Sequence, residues 1–184
     1  MSKIAKEKRN IVTLSFRQEN DDPDYGTCLW ADFYFDLDAY TLTIASDCGN
    51  YAYGWTITPS EPFLKLMSRI NRGYLLDKIS KSDTIDAKPT INELTKYVRG
   101  QIGRVSSLVR EKIEDAVYGA GSTDVLVYEI ADLLEDEGVD DADWYGVASC
   151  IEETFSANAL KIGEIFETQV QPFLRKMREA YEDL

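Results

Sequence analysis

Apolar and polar residues alternate along Leu29-Trp30-Ala31-Asp32-Phe33-Tyr34-Phe35-Asp36-Leu37. Successive side chains of a β-strand point to opposite faces of the sheet, so this period of two predicts a strand with one apolar face. Residues 12–17, 40–46 and 51–57 repeat the pattern. The links between the four segments are rich in Asp and Gly, which is typical of turns. Because parallel strands need a long crossover, the sequence predicts an antiparallel meander of about four strands.

Beyond residue 60 the apolar residues recur every three or four positions, as they do on one face of a helix. Two short helices are predicted between residues 63 and 79. From Ile91 to Ala116 the apolar stripe continues and predicts one long helix, which Gly100 and Gly103 weaken because glycine is a poor helix former.

Helix starts are marked by side chains that accept hydrogen bonds from the first backbone N–H groups. Thr90 and Glu93 match the spacing of a capping box at the start of the long helix. Three further helix starts are predicted, at Ser122 or Thr123, at Asp140 and at Ser156.

The last helix carries an apolar stripe that includes Phe166 and Phe173. Pro172 is predicted to kink or interrupt this helix, because proline lacks a backbone donor and clashes with the preceding turn. Strands followed by helices place the protein in the α+β class. We predict a first domain over residues 1–82, with the sheet and two short helices, and a helical domain with an acidic surface over residues 90–184.

The charge of the chain is unevenly distributed. The 184 residues include 33 acidic and 20 basic side chains, for a formal net charge of −13. Residues 61–112 contain 11 basic and 6 acidic side chains, whereas residues 113–184 contain 4 basic and 18 acidic ones. The C-terminal part is therefore suited to a basic partner, and basic grooves are typical of proteins that handle nucleic acids.

The residues that are missing exclude several kinds of chemistry. With no histidine in the chain, Ser-His and Cys-His nucleophilic pairs and histidine metal sites are excluded. The odd number of cysteines (Cys28, Cys48, Cys150), without ligand spacing, argues against a disulfide framework and a zinc site. We predict no catalytic residue, metal or cofactor. One alternative is a magnesium-dependent nuclease that uses the strand carboxylates Asp32 and Asp36.

An acidic run occupies residues 135–143. Its second half lies at a predicted helix start, where the helix dipole stabilises negative charge by about 0.3–1 kcal/mol per residue. Its first half lies at a predicted helix end, where the same dipole makes negative charge unfavourable. Carboxylates in an unfavourable position indicate a use outside the helix, and neighbouring aromatic residues can serve as apolar anchors. The predicted partner-binding residues are Glu135, Asp136, Glu137, Asp140, Asp141, Asp143, Trp144 and Tyr145.

A basic face is predicted on the long helix. Lys96, Arg99, Gly103, Ser106 and Arg110 fall within about 80° of one another when they are plotted at 100° per residue. Lys96, Arg99 and Arg110 are therefore candidate phosphate-binding residues. The same cations can instead pair with the acidic helices, either within the fold or across a homodimer.

A strand, a turn, an aromatic strand and two short helices follow one another in Leu42-Thr43-Ile44-Ala45-Ser46-Asp47-Cys48-Gly49-Asn50-Tyr51-Ala52-Tyr53-Gly54-Trp55, Phe63-Leu64-Lys65-Leu66-Met67 and Gly73-Tyr74-Leu75-Leu76-Asp77-Lys78-Ile79. This region resembles small proteins encoded by phages and prophages of Gram-positive bacteria, some of which are anti-CRISPR proteins that act against Cas9. The resemblance covers about the first 80 residues, and its motif is structural rather than catalytic. It implies a phage accessory protein and transfers no functional residue.

These observations predict a non-enzymatic inhibitor that binds a basic, nucleic-acid-handling host protein, such as Cas9 in a CRISPR effector complex. The alternatives are a nuclease or nucleic-acid-binding protein that acts on guide RNA or DNA, and a structural homodimer of phage origin. No segment approaches the roughly 20 apolar residues of a membrane span, and no signal peptide is evident. We therefore expect no membrane partner and a cytoplasmic location in a bacterial host cell.

Overall fold

The computed structural model of the protein describes residues 8–57, 61–139 and 142–180, with side chains as far as residue 177. An antiparallel sheet is followed mainly by helices, so the predicted α+β class is confirmed. The chain divides into two compact units. Unit 1 consists of Met1–Lys81 together with Ala157–Leu184, and unit 2 consists of Ser82–Ser156.

Four strands form the main sheet, and two short ones form a second pair. The strands are β1 (Ile11–Arg17), β2 (Trp30–Asp36), β3 (Thr41–Ser46), β4 (Tyr51–Gly54), β5 (Thr84–Ile85) and β6 (Glu153–Thr154). The helices are α1 (Phe63–Met67), α2 (Arg72–Ile79), α3 (Ala87–Ile102), α4 (Ser107–Gly119), α5 (Thr123–Asp136), α6 (Trp144–Ala148), α7 (Ala157–Ile165) and α8 (Gln171–Ala180). None of the helices within the described ranges combines the length and the apolar character that crossing a membrane requires.

The main sheet has the order β1-β2-β3-β4, and all neighbours are antiparallel. The predicted meander is therefore confirmed. In its register Leu14 lies opposite Phe33, Phe33 opposite Ile44, and Ile44 opposite Tyr51. This row of apolar residues belongs to the core of unit 1, as the period of two along the strands predicts.

The last helices cover the apolar face of this sheet. Phe166 is fully buried, with its ring centroid 6.2 Å from that of Phe33. The Gln171 side-chain amide donates to the backbone oxygens of Met67 (3.0 Å) and Ile70 (2.5 Å), so α8 is held against the end of α1. The helices after residue 156 thus belong to the unit of the sheet, whereas the sequence placed them with residues 90–156. The physical reason is that an apolar sheet face must be buried against another layer.

The helical geometry changes just before Pro172, where the sequence predicts a kink or an interruption. A π-helical segment, Phe166–Val170, joins α7 to α8, and the Gln171 N–H donates to the Phe166 carbonyl five residues back. A π turn contains one residue more than the α pattern assumes, so it shifts the buried stripe by one position. Leu174 is consequently buried, while Phe173, which the α-helical stripe predicts to be inside, is 50% exposed.

Unit 2 is a helical unit with its own core. The most deeply buried residues come from α3, α4, α5 and α6, and include Leu94, Val98, Ile113, Leu126, Ile130, Leu134 and Val147. Strand β5 pairs with β6, with Thr84 opposite Thr154, so the two ends of the unit meet. Residues 83–89, which lie between the two predicted domains, therefore contain a strand and the start of α3.

The predicted long helix is two helices. Gly103 ends α3 with a φ of 77°, a conformation that glycine adopts without steric penalty. Ser106 then starts α4, because its side-chain oxygen accepts from the Val109 N–H at 3.2 Å. The break lets α4 pack against α3, and the continuous stripe on the sequence represents two helices that share one core.

Two predicted helix starts are wrong. For a third start the sequence left Ser122 and Thr123 as alternatives, and the structure selects one of them. Thr90 lies inside α3, where its hydroxyl oxygen accepts from the Glu152 N–H at 3.0 Å instead of capping the helix. The N-cap of α6 is Asp143, three residues after the predicted Asp140, which lies outside the described residues. Ser122 caps α5.

Substitution of Phe166 by alanine tests the role of the last helices in unit 1. Because Phe166 is fully buried, we expect Phe166→Ala to lower the free energy of unfolding by about 3–5 kcal/mol. Phe173→Ala removes the same atoms from a half-exposed site and should lower it by less than about 1 kcal/mol. Urea denaturation followed by circular dichroism measures both values, and equal losses would contradict the shifted stripe.

Candidate functional site

The C-terminal end of α5 carries the first half of the acidic run. Gly138, at a φ of 85°, donates to the Glu135 carbonyl at 2.9 Å, and the Val139 N–H donates to the Leu134 carbonyl at 3.0 Å. This Schellman pattern satisfies helix carbonyls with backbone groups. The last turn of α5 contains no basic residue, and Glu135, Asp136 and Glu137 are exposed. Their charges therefore lie at the negative end of the helix dipole, as predicted.

One cation approaches this acidic end. The Lys112 ammonium nitrogen lies 3.7 Å from a carboxylate oxygen of Asp136, and both side chains are well exposed. An exposed pair of this kind contributes at most about 1 kcal/mol. The acidic end of α5 thus remains available for contacts outside the fold.

Further carboxylates line a groove beside the predicted ones. Asp115 of α4 and Glu129, Asp132 and Asp136 of α5 surround a groove of about 420 Å³. Glu129, Asp132 and Asp136 lie three and four residues apart, which places them on one face of α5. That spacing is visible in the sequence, but of these residues the contiguous acidic run includes only Asp136.

Exposed aromatic residues lie on α5 and α6. Trp144 is 44% exposed and Tyr145 is 89% exposed. The ring of Tyr128, which the sequence analysis missed, meets the Trp144 ring edge-on with centroids 4.3 Å apart. Tyr128, Asp132 and Glu135 follow the i, i+4, i+7 spacing of one helix face. We call the set formed by Tyr128, Asp132, Glu135, Asp136, Glu137, Trp144 and Tyr145 the acidic–aromatic surface.

The remaining acids of the predicted set are Asp140, Asp141 and Asp143. Asp140 and Asp141 lie outside the described residues. The Asp143 carboxylate accepts from the Tyr145 N–H at 3.1 Å as the N-cap of α6. Capping gives Asp143 a local role that needs no partner.

The predicted basic residues do come together, although the helix that carried them is broken. Lys96, Arg99 and Arg110 line one cleft of about 390 Å³ in unit 2. The Lys96 ammonium group lies 2.5 Å from Glu93, and the Arg110 guanidinium lies 2.9 Å from Glu114. Two of the three cations therefore pair with acids of their own helices rather than with the acidic run.

The strand carboxylates of the nuclease alternative are engaged by arginines. Two nitrogens of Arg17 donate to Asp32, at 2.8 and 3.2 Å, and Arg9 donates to Asp36 at 2.9 Å. Each guanidinium lowers the pKa of its partner carboxyl below the ordinary value. A magnesium ion would have to compete with these arginines for the carboxylate oxygens.

One group of potential metal ligands was not expected from the sequence. Within residues 8–57, 61–139 and 142–180, three such side chains converge at one place, where the ligand atoms of Cys28, Asp47 and Cys48 lie within 4.8 Å of one another. Cys28 and Cys48 are twenty positions apart, so their proximity depends on the pairing of β2 with β3.

Comparison with protein-family models matches residues 4–176 to a phage family. Since the match covers most of the chain, the protein belongs to this phage family. The phage origin implied by the resemblance of the first 80 residues is thereby confirmed. No curated protein and no solved structure matches the chain.

Charge reversal at the end of α5 tests the local electrostatic argument. Lysine at the C-terminal end of a helix is stabilised by the dipole that disfavours glutamate. We expect Glu135→Lys and Glu137→Lys each to raise the free energy of unfolding by about 0.3–1 kcal/mol. Urea denaturation at low salt measures the gain, and 1 M salt should remove most of it by screening. A loss of stability at low salt would contradict the argument.

Removal of the Arg17 guanidinium tests the arginine pairing on the sheet. We expect Arg17→Gln to raise the pKa of the Asp32 carboxyl toward its unfolded value of about 3.9. Pairing with Arg17 lowers the folded-state pKa of Asp32, so the pair stabilises the fold at pH values above the unfolded pKa. This stabilisation is lost as the pH falls through the folded-state pKa of Asp32. A carboxyl-detected NMR titration measures the shift, with Asp36 as an internal control that should not change.

Proposed function

We propose that this phage protein inhibits a nucleic-acid-handling host protein by covering its basic site with the acidic–aromatic surface. The Cas9 effector complex is the target that the resemblance of the first 80 residues favours. The observation that carries the proposal is the exposed Tyr128–Trp144 ring pair, with Tyr128 on the helix face that also carries Asp132 and Glu135 and with exposed Tyr145 next to Trp144 in the chain.

Aromatic side chains of this kind supply most of the affinity in protein interfaces. Tyr and Trp are enriched among the residues whose truncation costs more than 2 kcal/mol of binding free energy. Tyr145 buries little of its ring within the fold, so folding alone does not explain its presence on α6. A partner that buries Tyr145 and Trp144 would gain apolar contact at a site that is already formed.

The carboxylates determine which partner fits. Asp132, Glu135 and Glu137 present negative charge, and a groove that normally holds phosphates presents positive charge. Such complementarity accelerates association and rejects acidic competitors more than it adds affinity. The acids thus favour a basic target, and the aromatic residues hold it.

A DNA-cleavage assay with guide-loaded Cas9 tests the proposal. We expect the wild-type protein to slow cleavage, and Tyr145→Ala to weaken inhibition by at least about tenfold, which corresponds to 1.4 kcal/mol. Glu135→Lys combined with Glu137→Lys should weaken inhibition and flatten its salt dependence. Because these two charge reversals are expected to stabilise the fold, weaker inhibition cannot be attributed to unfolding.

Matched variants in unit 1 provide the controls. Asp21→Lys combined with Asp77→Lys makes the same change of net charge, and Tyr25→Ala removes a half-exposed tyrosine. Both controls should inhibit like the wild type. Equal effects of the surface variants and their controls would contradict the assignment of the surface, and a wild-type protein that leaves cleavage unchanged would contradict the choice of Cas9.

Direct nucleic-acid binding is the second candidate function, because Lys96, Arg99 and Arg110 line one cleft. The pairs with Glu93 and Glu114 reduce the positive charge that a phosphate would meet. A gel shift of guide RNA that Arg99→Glu abolishes would favour this candidate.

A homodimer in which this cleft meets the acidic helices of a second copy would dissociate with added salt, which light scattering detects.

A further inference from the structure

Two buried cysteines and one carboxylate converge at the rim of the unit 1 core. Cys28, just before β2, is fully buried, and Cys48, in the turn between β3 and β4, is 3% exposed. Their sulfur atoms and a carboxylate oxygen of exposed Asp47 lie within 4.8 Å of one another. Sulfur ligands of a tetrahedral zinc ion lie about 3.8 Å apart, as follows from a Zn–S distance of 2.3 Å. Shifts of about 1 Å or less would bring the three side chains onto one ion.

The surrounding backbone holds these side chains in place. The Asp47 carboxylate accepts from the Leu29 N–H at 2.9 Å and the Trp30 N–H at 3.3 Å. The Tyr51 hydroxyl donates to the Cys48 carbonyl at 2.9 Å. Hydrogen bonds that orient ligands in this way are typical of the outer shell of metal sites.

Both thiols make hydrogen bonds to neighbouring groups. The Cys28 thiol donates to Asp47 Oδ1 at 3.4 Å, and the Cys48 thiol donates to the Thr27 carbonyl at 3.0 Å. The Cys28 sulfur also lies 3.6 Å from the Trp30 carbonyl oxygen. The two thiol groups and the carboxylate are therefore held beside one another at one place.

We propose that Cys28, Asp47 and Cys48 bind a thiophilic divalent cation of the Zn²⁺ type. Binding replaces the two thiol protons by one M²⁺ ion, and two protons leave to solvent. The charge of the site is −1 before and after this exchange, so the core acquires no additional uncompensated charge. The ion would join the segment before β2 to the turn after β3.

The ligand set selects the kind of metal. Two thiolates and one carboxylate favour Zn²⁺ over Mg²⁺ or Ca²⁺, which prefer oxygen ligands only. Asp47 is exposed, so its side of the site is open to a water molecule as the fourth ligand.

Cobalt(II) titration of the reduced protein tests the site, since tetrahedral Co²⁺ bound to thiolates absorbs in the visible and near-ultraviolet regions. We expect the wild type to show both absorptions and Zn²⁺ to displace them. Cys28→Ser and Cys48→Ser should abolish the sulfur-to-cobalt absorption. Asp47→Asn, which keeps an acceptor for Leu29 and Trp30, should weaken binding by at least about tenfold.

Cys150→Ser provides the matched control, because Cys150 is a buried cysteine of unit 2. The Cys150→Ser variant should bind Co²⁺ like the wild type. Zn²⁺ should raise the Tm of the wild type and of Cys150→Ser, but not the Tm of Cys28→Ser or Cys48→Ser. Absence of the sulfur-to-cobalt absorption in the folded, reduced wild type would overturn the proposal. Its loss in Cys150→Ser, or its persistence in both Cys28→Ser and Cys48→Ser, would do the same.

Discussion

Burial of the apolar face of the four-stranded sheet is the constraint on which the rest of the structure depends. The face contributes Phe33, Phe35, Leu42 and Ile44 to the core. The short helices α1 and α2 and the last helices of the chain together cover this face. A sheet of this kind is stable only when a second layer removes that face from water. The requirement brings the last part of the chain back to the first and leaves residues 82–156 as a contiguous helical unit.

In the helical unit, an exposed acidic surface lies where the helix dipole disfavours negative charge. Its core is complete, with Ile113, Ile130 and Leu134 fully buried. On the outside, α5 ends in three carboxylates where its dipole favours cations. Proteins accept such local disadvantages mainly where a function requires them. The proposed recognition of a host protein would be a function of this kind.

The two proposed sites illustrate two different uses of carboxylate side chains. On α5 the acids are exposed, and their charge acts on an approaching partner. Beside β2 the Asp47 carboxylate accepts hydrogen bonds from two backbone N–H groups and from the buried Cys28 thiol. The difference lies in the neighbours of each carboxylate, which is why composition alone does not distinguish the two sites.

The sequence by itself determined the α+β class, the strand order and the exposure of Glu135 to Glu137, because these follow from periods of two and 3.6 and from short turns. Only the tertiary structure decided that Phe173 is exposed, that the long helix breaks at Gly103, and that the last helices cover the sheet. It alone brought Tyr128 to Trp144 and Cys28 to Cys48. Periodicity reports which face of an element is apolar, whereas the choice of what covers that face is made by packing between residues that are distant in the chain.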